Sequence, residues 1–167
     1  MWLKGHTDFG TITLLYSQPV SALQILLPGP AGAGAGAGGG TWRWVRHVPG
    51  ALVVNAGDAL EFLTGAFYRA TVHRVVRPPA DQRGRARLGA FYFAMCDDAV
   101  RLVPPAPGES AVLDRAGAVR RFEDADAPAM EEWRRARTSA YGQTQLTRKE
   151  GGVEEEVIGG VVVKHYN

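Results

Sequence analysis

A single cysteine, Cys96, stands in 167 residues, so no internal disulfide can form. A lone thiol in an apolar, strand-like run is expected to be buried, in a protein of a reducing compartment. No apolar run approaches the ~18 residues of a membrane span. Met1-Trp-Leu-Lys-Gly leads straight into polar His6 and Asp8 instead of the apolar centre of a signal peptide. The expectation is a cytoplasmic protein with no membrane partner. Excess charge of one sign is also missing: 19 Lys and Arg against 17 Asp and Glu leave a formal +2, which argues against a nucleic-acid or anionic-lipid surface. Basic residues gather at 77–87, 115–121 and 134–137, set among Asp, Glu, Pro or Gly, and read as solvated faces.

What is present suits one ordinary domain, with a hydrophobic fraction of 46%. Residues 11–16, 22–27, 42–45, 51–55, 70–76 and 88–95 are β-branched or aromatic runs separated by Gly, Pro or Asp, a spacing that favours a sandwich or barrel. Residues 28–40 are Gly, Ala and Pro only and cannot bury enough surface to offset their ordering entropy, so a mobile loop is expected there. A phosphate cradle would feed a helix, whereas Thr41-Trp-Arg-Trp-Val has strand character. After residue 105 the pattern changes, and 106–167 reads as a C-terminal extension. Pro128 opens a helix near 127–141, stopped by Gly142, with Trp133 and Tyr141 on its docking side. Gly159-Gly160 between valine-rich arms signals a terminal hairpin.

His6 and Asp8 lie two residues apart, and on an extended strand positions i and i+2 share a face. His73, in a strand-like run far downstream, can supply a third ligand. Two imidazole nitrogens and one carboxylate oxygen on one face of an octahedron bind iron(II) and leave three positions open. Alternation along 87–93 likewise puts Arg87, Gly89, Phe91 and Phe93 on one face.

Three blocks carry a resemblance: Gly5-His-Thr-Asp-Phe-Gly-Thr-Ile-Thr-Leu-Leu, Ala22-Leu-Gln-Ile-Leu, and Pro49 through Val75 with Asn55-Ala-Gly-Asp-Ala-Leu and Thr71-Val-His-Arg-Val. Block by block, residues 2–105 are similar to the isopenicillin N synthase-like 2-oxoglutarate/iron(II) oxygenases. The resemblance implies a mainly β fold, a double-stranded β-helix or jelly roll lacking its N-terminal part. It implies that His6, Asp8 and His73 ligate Fe(II), and that 2-oxoglutarate and O2 are cosubstrates. In the family's Arg-x-Ser position stand Arg87 and Gly89; an arginine fork suits a carboxylate, and the missing serine hydroxyl removes a donor worth about 0.5–1.5 kcal/mol. Phe9, Phe91 and Phe93 are the candidate substrate pocket. The implied reaction hydroxylates or desaturates a small organic molecule and releases succinate and CO2. The tail looks like that of fungal family members. Two alternatives stand beside this: an inactive or partner-dependent truncated member that self-associates through an exposed sheet edge, and a cupin-like metal-dependent hydrolase or isomerase with no use for Arg87.

Overall fold

The computed structural model describes residues 1–29, 40–140 and 145–166. Most of the expected Gly/Ala loop, together with Tyr141 and Gly142, therefore lies outside the described residues.

The first seven strands cross repeatedly between two antiparallel sheets, and the last three stay in one of them. The larger runs β4 (Thr41–Trp44), β3 (Leu23–Leu27), β6 (His73–Val75), β1 (Leu3–His6), β10 (Val161–Tyr166), β9 (Val153–Ile158), β8 (Thr147–Arg148). The smaller runs β5 (Leu52–Ala56), β2 (Ile12–Tyr16), β7 (Phe91–Ala94). This back-and-forth is the jelly-roll arrangement expected from the sequence. Its register matters at the site, because Thr13 pairs with both Asn55 and Phe93 and all three belong to one face of the small sheet.

Two strands are shorter than expected. In the run 70–76 the first residues cross between sheets: the Thr71 amide donates to the Ala56 carbonyl at the end of β5, so ladder pairing on the large sheet begins only at His73. In the run 88–95 Leu88 and Gly89 are exposed and precede the ladder. Arg87 and Gly89 therefore sit on an approach to β7, outside the strand itself. Asp8 also lies beyond the strand that ends at His6, so the shared-face argument for His6 and Asp8 does not apply.

Two short helices escaped the sequence reading. Helix α1 (Asp58–Leu63) is six residues long, too short for a hydrophobic period to register. Helix α2 (Ala111–Ala116) is capped by the Ser110 hydroxyl, which accepts from the Leu113 amide, and stopped by left-handed Gly117. Helix α3 (Met130–Ala140) buries Met130, Trp133 and Ala140. Its Trp133 ring meets Phe62 of α1 edge-on at 5.2 Å. Leu102, Met130, Ile158, Val161 and Val163 complete this core, each contributing about 1.5–3 kcal/mol on full burial. The β9–β10 hairpin turns at Gly159 and Gly160, both at positive φ (55° and 78°), as a two-residue turn requires. Its second strand pairs with β1 through Tyr166 and Gly5, tying the C-terminal segment into the large sheet. No helix among the described residues is long and apolar enough to cross a membrane. Cys96 packs against the core and is half-buried; burial pushes its thiol pKa up.

The apolar core thus lies beside α1, α3 and the hairpin, while the space between the two sheets stays open.

Candidate metal centre

At the end of β1 the chain turns through residues 7–10, and three successive carbonyls there are each held by a different group. Arg137 of α3 donates to the Thr7 carbonyl at 3.0 Å, the Asp58 amide to that of Asp8 at 2.7 Å, and Trp133 Nε1 to that of Phe9 at 3.2 Å. The fit against α1 is close enough to demand glycine at 57: a Cβ there would stand 2.3 Å from the Gly10 carbonyl oxygen and 2.8 Å from that of Asp8.

This turn brings Asp8 beside His6 and His73, which are neighbours across the β1–β6 ladder. The ring centroids of the two histidines are 4.4 Å apart. Asp8 Oδ1 is 3.7 Å from the Nε2 of each, and one ligand atom from each of the three lies within 4.8 Å of the others. The outer atoms are fixed as well. His6 Nδ1 contacts the Lys4 carbonyl at 2.8 Å and His73 Nδ1 that of Thr71 at 3.0 Å; a carbonyl only accepts, so each Nδ1 carries the proton and each Nε2 presents a lone pair. Asp8 Oδ2 accepts from Thr13 Oγ1 at 2.6 Å and from Asn55 Nδ2 at 2.9 Å, which turns Oδ1 toward the histidines. Burial first, and then the adjacent His73, hold the His6 imidazole below its usual pKa, so it is neutral at neutral pH. A neutral nitrogen pair with one carboxylate oxygen is the donor chemistry of a divalent first-row metal, and of iron(II) in particular when one face is left open.

Two cavities meet at this cluster. The smaller, about 170 Å³, lies between the sheets; Arg87, Gly89, Phe91 and Phe93 line it together with His6, Asp8, Asn55 and His73. Arg87 Nε is buried and has no hydrogen-bond partner, and burial pulls the guanidinium pKa below its ordinary value. An orphaned cationic donor is costly unless an anion comes to it. Arg83 and Arg85, which precede Arg87 in sequence, are exposed. The larger cavity, about 680 Å³, opens on the other side of His6 and Asp8 toward α3 and the hairpin, and is lined by Phe9 and Phe93, which stack at 6.1 Å between centroids. Phe9 thus faces the large cavity, Phe91 the small one, and Phe93 both.

One sequence reading needs correction. Arg137, taken with its neighbours as part of a solvated face, has a side chain only 10% exposed and is ion-paired with Asp58 at 2.5 Å. His165, in the tail, is half-buried and bonded to Glu156 at 2.8 Å. Thr13 and Asn55 were missed altogether; a polar residue inside each of two apolar strand runs was the available signal. His47 bonds Ser17 Oγ at 2.8 Å, away from the cluster.

Comparison with known proteins agrees with this geometry. The 2OG-Fe(II) oxygenase superfamily model matches residues 1–94. The 2-oxoglutarate-dependent dioxygenase frbH of Dothideomycetidae sp. (strain 11243) is 40% identical over 94 residues, 56% of this chain and 26% of that protein. 1-Aminocyclopropane-1-carboxylate oxidase 4 of Arabidopsis thaliana is 33% identical over 121 residues, 72% of this chain and 34% of the relative. Among solved structures, full-length Neurospora crassa T7H in complex with alpha-KG superposes with a TM-score of 0.59 and 25% identity, covering 83% of this chain and 37% of T7H; it is also known with thymine bound beside alpha-KG. The rice dioxygenase for auxin oxidation shares the fold at a TM-score of 0.61 and 24% identity, over 83% of this chain and 40% of that one. The chain therefore spans about a quarter to two fifths of the length of these relatives. With the family match running over more than half of its residues and across both halves of the His–Asp–His cluster, this chain belongs to the 2OG-Fe(II) oxygenase superfamily.

Proposed function

We propose that the chain uses 2-oxoglutarate and O2 to hydroxylate or desaturate a small organic substrate, with His6, Asp8 and His73 as the iron(II) ligands and Arg87 as the anchor for the distal carboxylate of 2-oxoglutarate. One observation carries the reading. A small cavity walled by Arg87, whose Nε is buried without a hydrogen-bond partner, and a larger, mainly apolar one meet at His6 and Asp8 of the ligand cluster, which suits a cosubstrate on one side and a substrate on the other. The thymine held by T7H alongside alpha-KG is a substrate-sized precedent for the second compartment.

Bound iron and 2-oxoglutarate supply the oxidising power, which no side chain has. The protein's part is placement. Thr13 and Asn55 keep Asp8 Oδ2 occupied so that Oδ1 is offered inward. The carbonyls of Lys4 and Thr71 keep both imidazoles in the ligating tautomer. Arg87 receives a carboxylate through charge-assisted hydrogen bonds, and the missing hydroxyl at Gly89 leaves that carboxylate one donor short. Leu15, Leu23, Ile25, Val53 and Val75 line the small cavity, and apolar walls limit the entry of water that would quench an oxidant.

The test is succinate formation from 2-oxoglutarate with iron(II) and air, in the absence of added substrate. Asp8→Ala and His73→Ala each abolish it; wild-type turnover in either variant would show that the ligand set is wrong.

A further inference from the structure

Position 89 carries no hydroxyl, but the neighbouring strand offers one. Thr13 pairs with Phe93 and Leu15 with Phe91, and the Tyr16 amide donates to the Ala90 carbonyl at 2.9 Å. Carried one residue further, that register sets Ser17 opposite Gly89. The Ser17 amide still bonds the Ala51 carbonyl at 3.2 Å, so the chain stays extended there, and alternation puts Ser17 on the face from which Thr13 and Leu15 line the small cavity. Ser17 is only 5% exposed. With His47 and Arg87 it lines a recess of about 20 Å³, room for roughly one water-sized oxygen. Arg87, Leu15, Leu23 and Val53 belong to the lining of both the recess and the small cavity, so the two share a wall. The other polar side chains around the recess, Tyr16, Gln18, Ser21 and Arg46, are half-buried or exposed.

The hydroxyl is held from its acceptor side. Ser17 Oγ accepts from the Val48 amide at 3.2 Å and stands 2.8 Å from His47 Nδ1. With the proton on Nδ1 the imidazole also donates to Ser17, both oxygen lone pairs are filled, and the hydroxyl's own hydrogen is left to give away. His47 Nε2 has no partner among the described residues, so this tautomer breaks no other bond.

We infer that Ser17 is a second anchor for the distal carboxylate of 2-oxoglutarate, donating its hydroxyl hydrogen to a carboxylate oxygen seated in the recess beside Arg87. The hydroxyl that Gly89 lacks on β7 is thus supplied across the ladder from the end of β2. The inference rests on the 2-oxoglutarate placement proposed above and deepens it. An O–H group aimed at a carboxylate makes a charge-assisted hydrogen bond, and an oxoacid with no distal carboxylate gains nothing from it.

Two oxoacids test it, 2-oxoglutarate and 2-oxobutanoate, titrated by ligand-observed NMR into the chain loaded with zinc(II) as an inert metal. Both carry the chelating oxoacid group, and only the first has a distal carboxylate. Ser17→Ala weakens 2-oxoglutarate by about threefold to tenfold and leaves 2-oxobutanoate unchanged. Affinity for zinc(II), measured on the same samples, is also unchanged and reports that the centre is intact. Adding Gly89→Ser to Ser17→Ala returns 2-oxoglutarate to about its wild-type affinity, because one hydroxyl replaces the other across the ladder. Unaltered 2-oxoglutarate binding in Ser17→Ala, an equal loss for both oxoacids, or a loss that Gly89→Ser does not repair overturns the inference. Should the wild-type chain show no preference for 2-oxoglutarate over 2-oxobutanoate, or keep that preference in Arg87→Met, the placement of the carboxylate at Arg87 would fall instead.

Discussion

Arg137 Nη2 donates to the backbone carbonyl of Thr7 at 3.0 Å, across a sequence separation of 130 residues. Thr7 is the residue between the two clustered side chains His6 and Asp8, so the C-terminal helix is bolted to the turn that positions them. The same guanidinium holds Asp58, whose own amide grips the Asp8 carbonyl. Helices α1 and α3 therefore converge on one short stretch of backbone, and residues outside the family-matched segment help to shape the centre.

Arg137→Met leaves the Asp58 carboxyl, with a side chain only 11% exposed, without its cation, and breaking a buried pair from one side costs about 3–5 kcal/mol. The expected result is a markedly lower urea midpoint together with weaker metal binding. The double variant Arg137→Met/Asp58→Asn recovers much of the stability but not the metal affinity, because the Thr7 carbonyl remains unclamped. Denaturation and metal titration of the single and double variants check both halves.

Thr13→Val and Asn55→Ala each remove one donor to Asp8 Oδ2. Such orienting partners are typically worth about 10–100-fold in metal affinity, and each variant is expected to fall in that range with little change of fold. Isothermal titration with manganese(II) measures it. Unchanged affinity in both would mean that Oδ1 needs no orienting.

Arg87→Met removes the charge proposed to anchor the cosubstrate, and loss of hydrogen bonds to a charged group, about 1.5–3 kcal/mol, is expected to weaken 2-oxoglutarate binding by about tenfold to a hundredfold. Gly89→Ser acts in the opposite direction. A Cβ at 89 meets nothing within 4 Å, so the added hydroxyl enters without strain and tightens binding by about threefold to tenfold. Equilibrium binding of 2-oxoglutarate to the three proteins decides.

Strand β7 closes the small sheet with an unpaired edge among the described residues, and Leu88, Phe91 and Tyr92 beside it are 80%, 61% and 66% exposed. An unpaired edge flanked by exposed apolar side chains is a template for pairing with another strand. We propose that this chain in isolation self-associates with a second copy there, and that Tyr92→Lys suppresses it. Light scattering during size-exclusion chromatography reads the mass directly; a wild-type monomer at all concentrations refutes the idea.

How much of this was legible depended on range. The strands of the small sheet, the Gly-Gly hairpin turn and the cluster of His6, Asp8 and His73 could be read because short periodicities and distinctive residue types carry them. Asp8 met the histidines by a different route from the one expected, through a turn pinned by α1 and α3 after β1 ends. Thr13 and Asn55 become partners of Asp8 only once cross-strand register is fixed, which no local pattern specifies. Arg137 was misread because an arginine among arginines is normally solvated; only the packing of α3 on α1 reveals a buried pair. His165 was hidden for a related reason, since its neighbour Glu156 lies across a hairpin and its cavity is closed by the opposite side of the fold.

Anaerobic titration of the chain with iron(II) and then 2-oxoglutarate tests the central claim most directly, because it requires the three ligands and the arginine to act on one chelate. A visible charge-transfer band that saturates at one equivalent of each, and is lost in Asp8→Ala, is the predicted result. A folded chain that binds iron(II) but develops no such band as 2-oxoglutarate is added would contradict it.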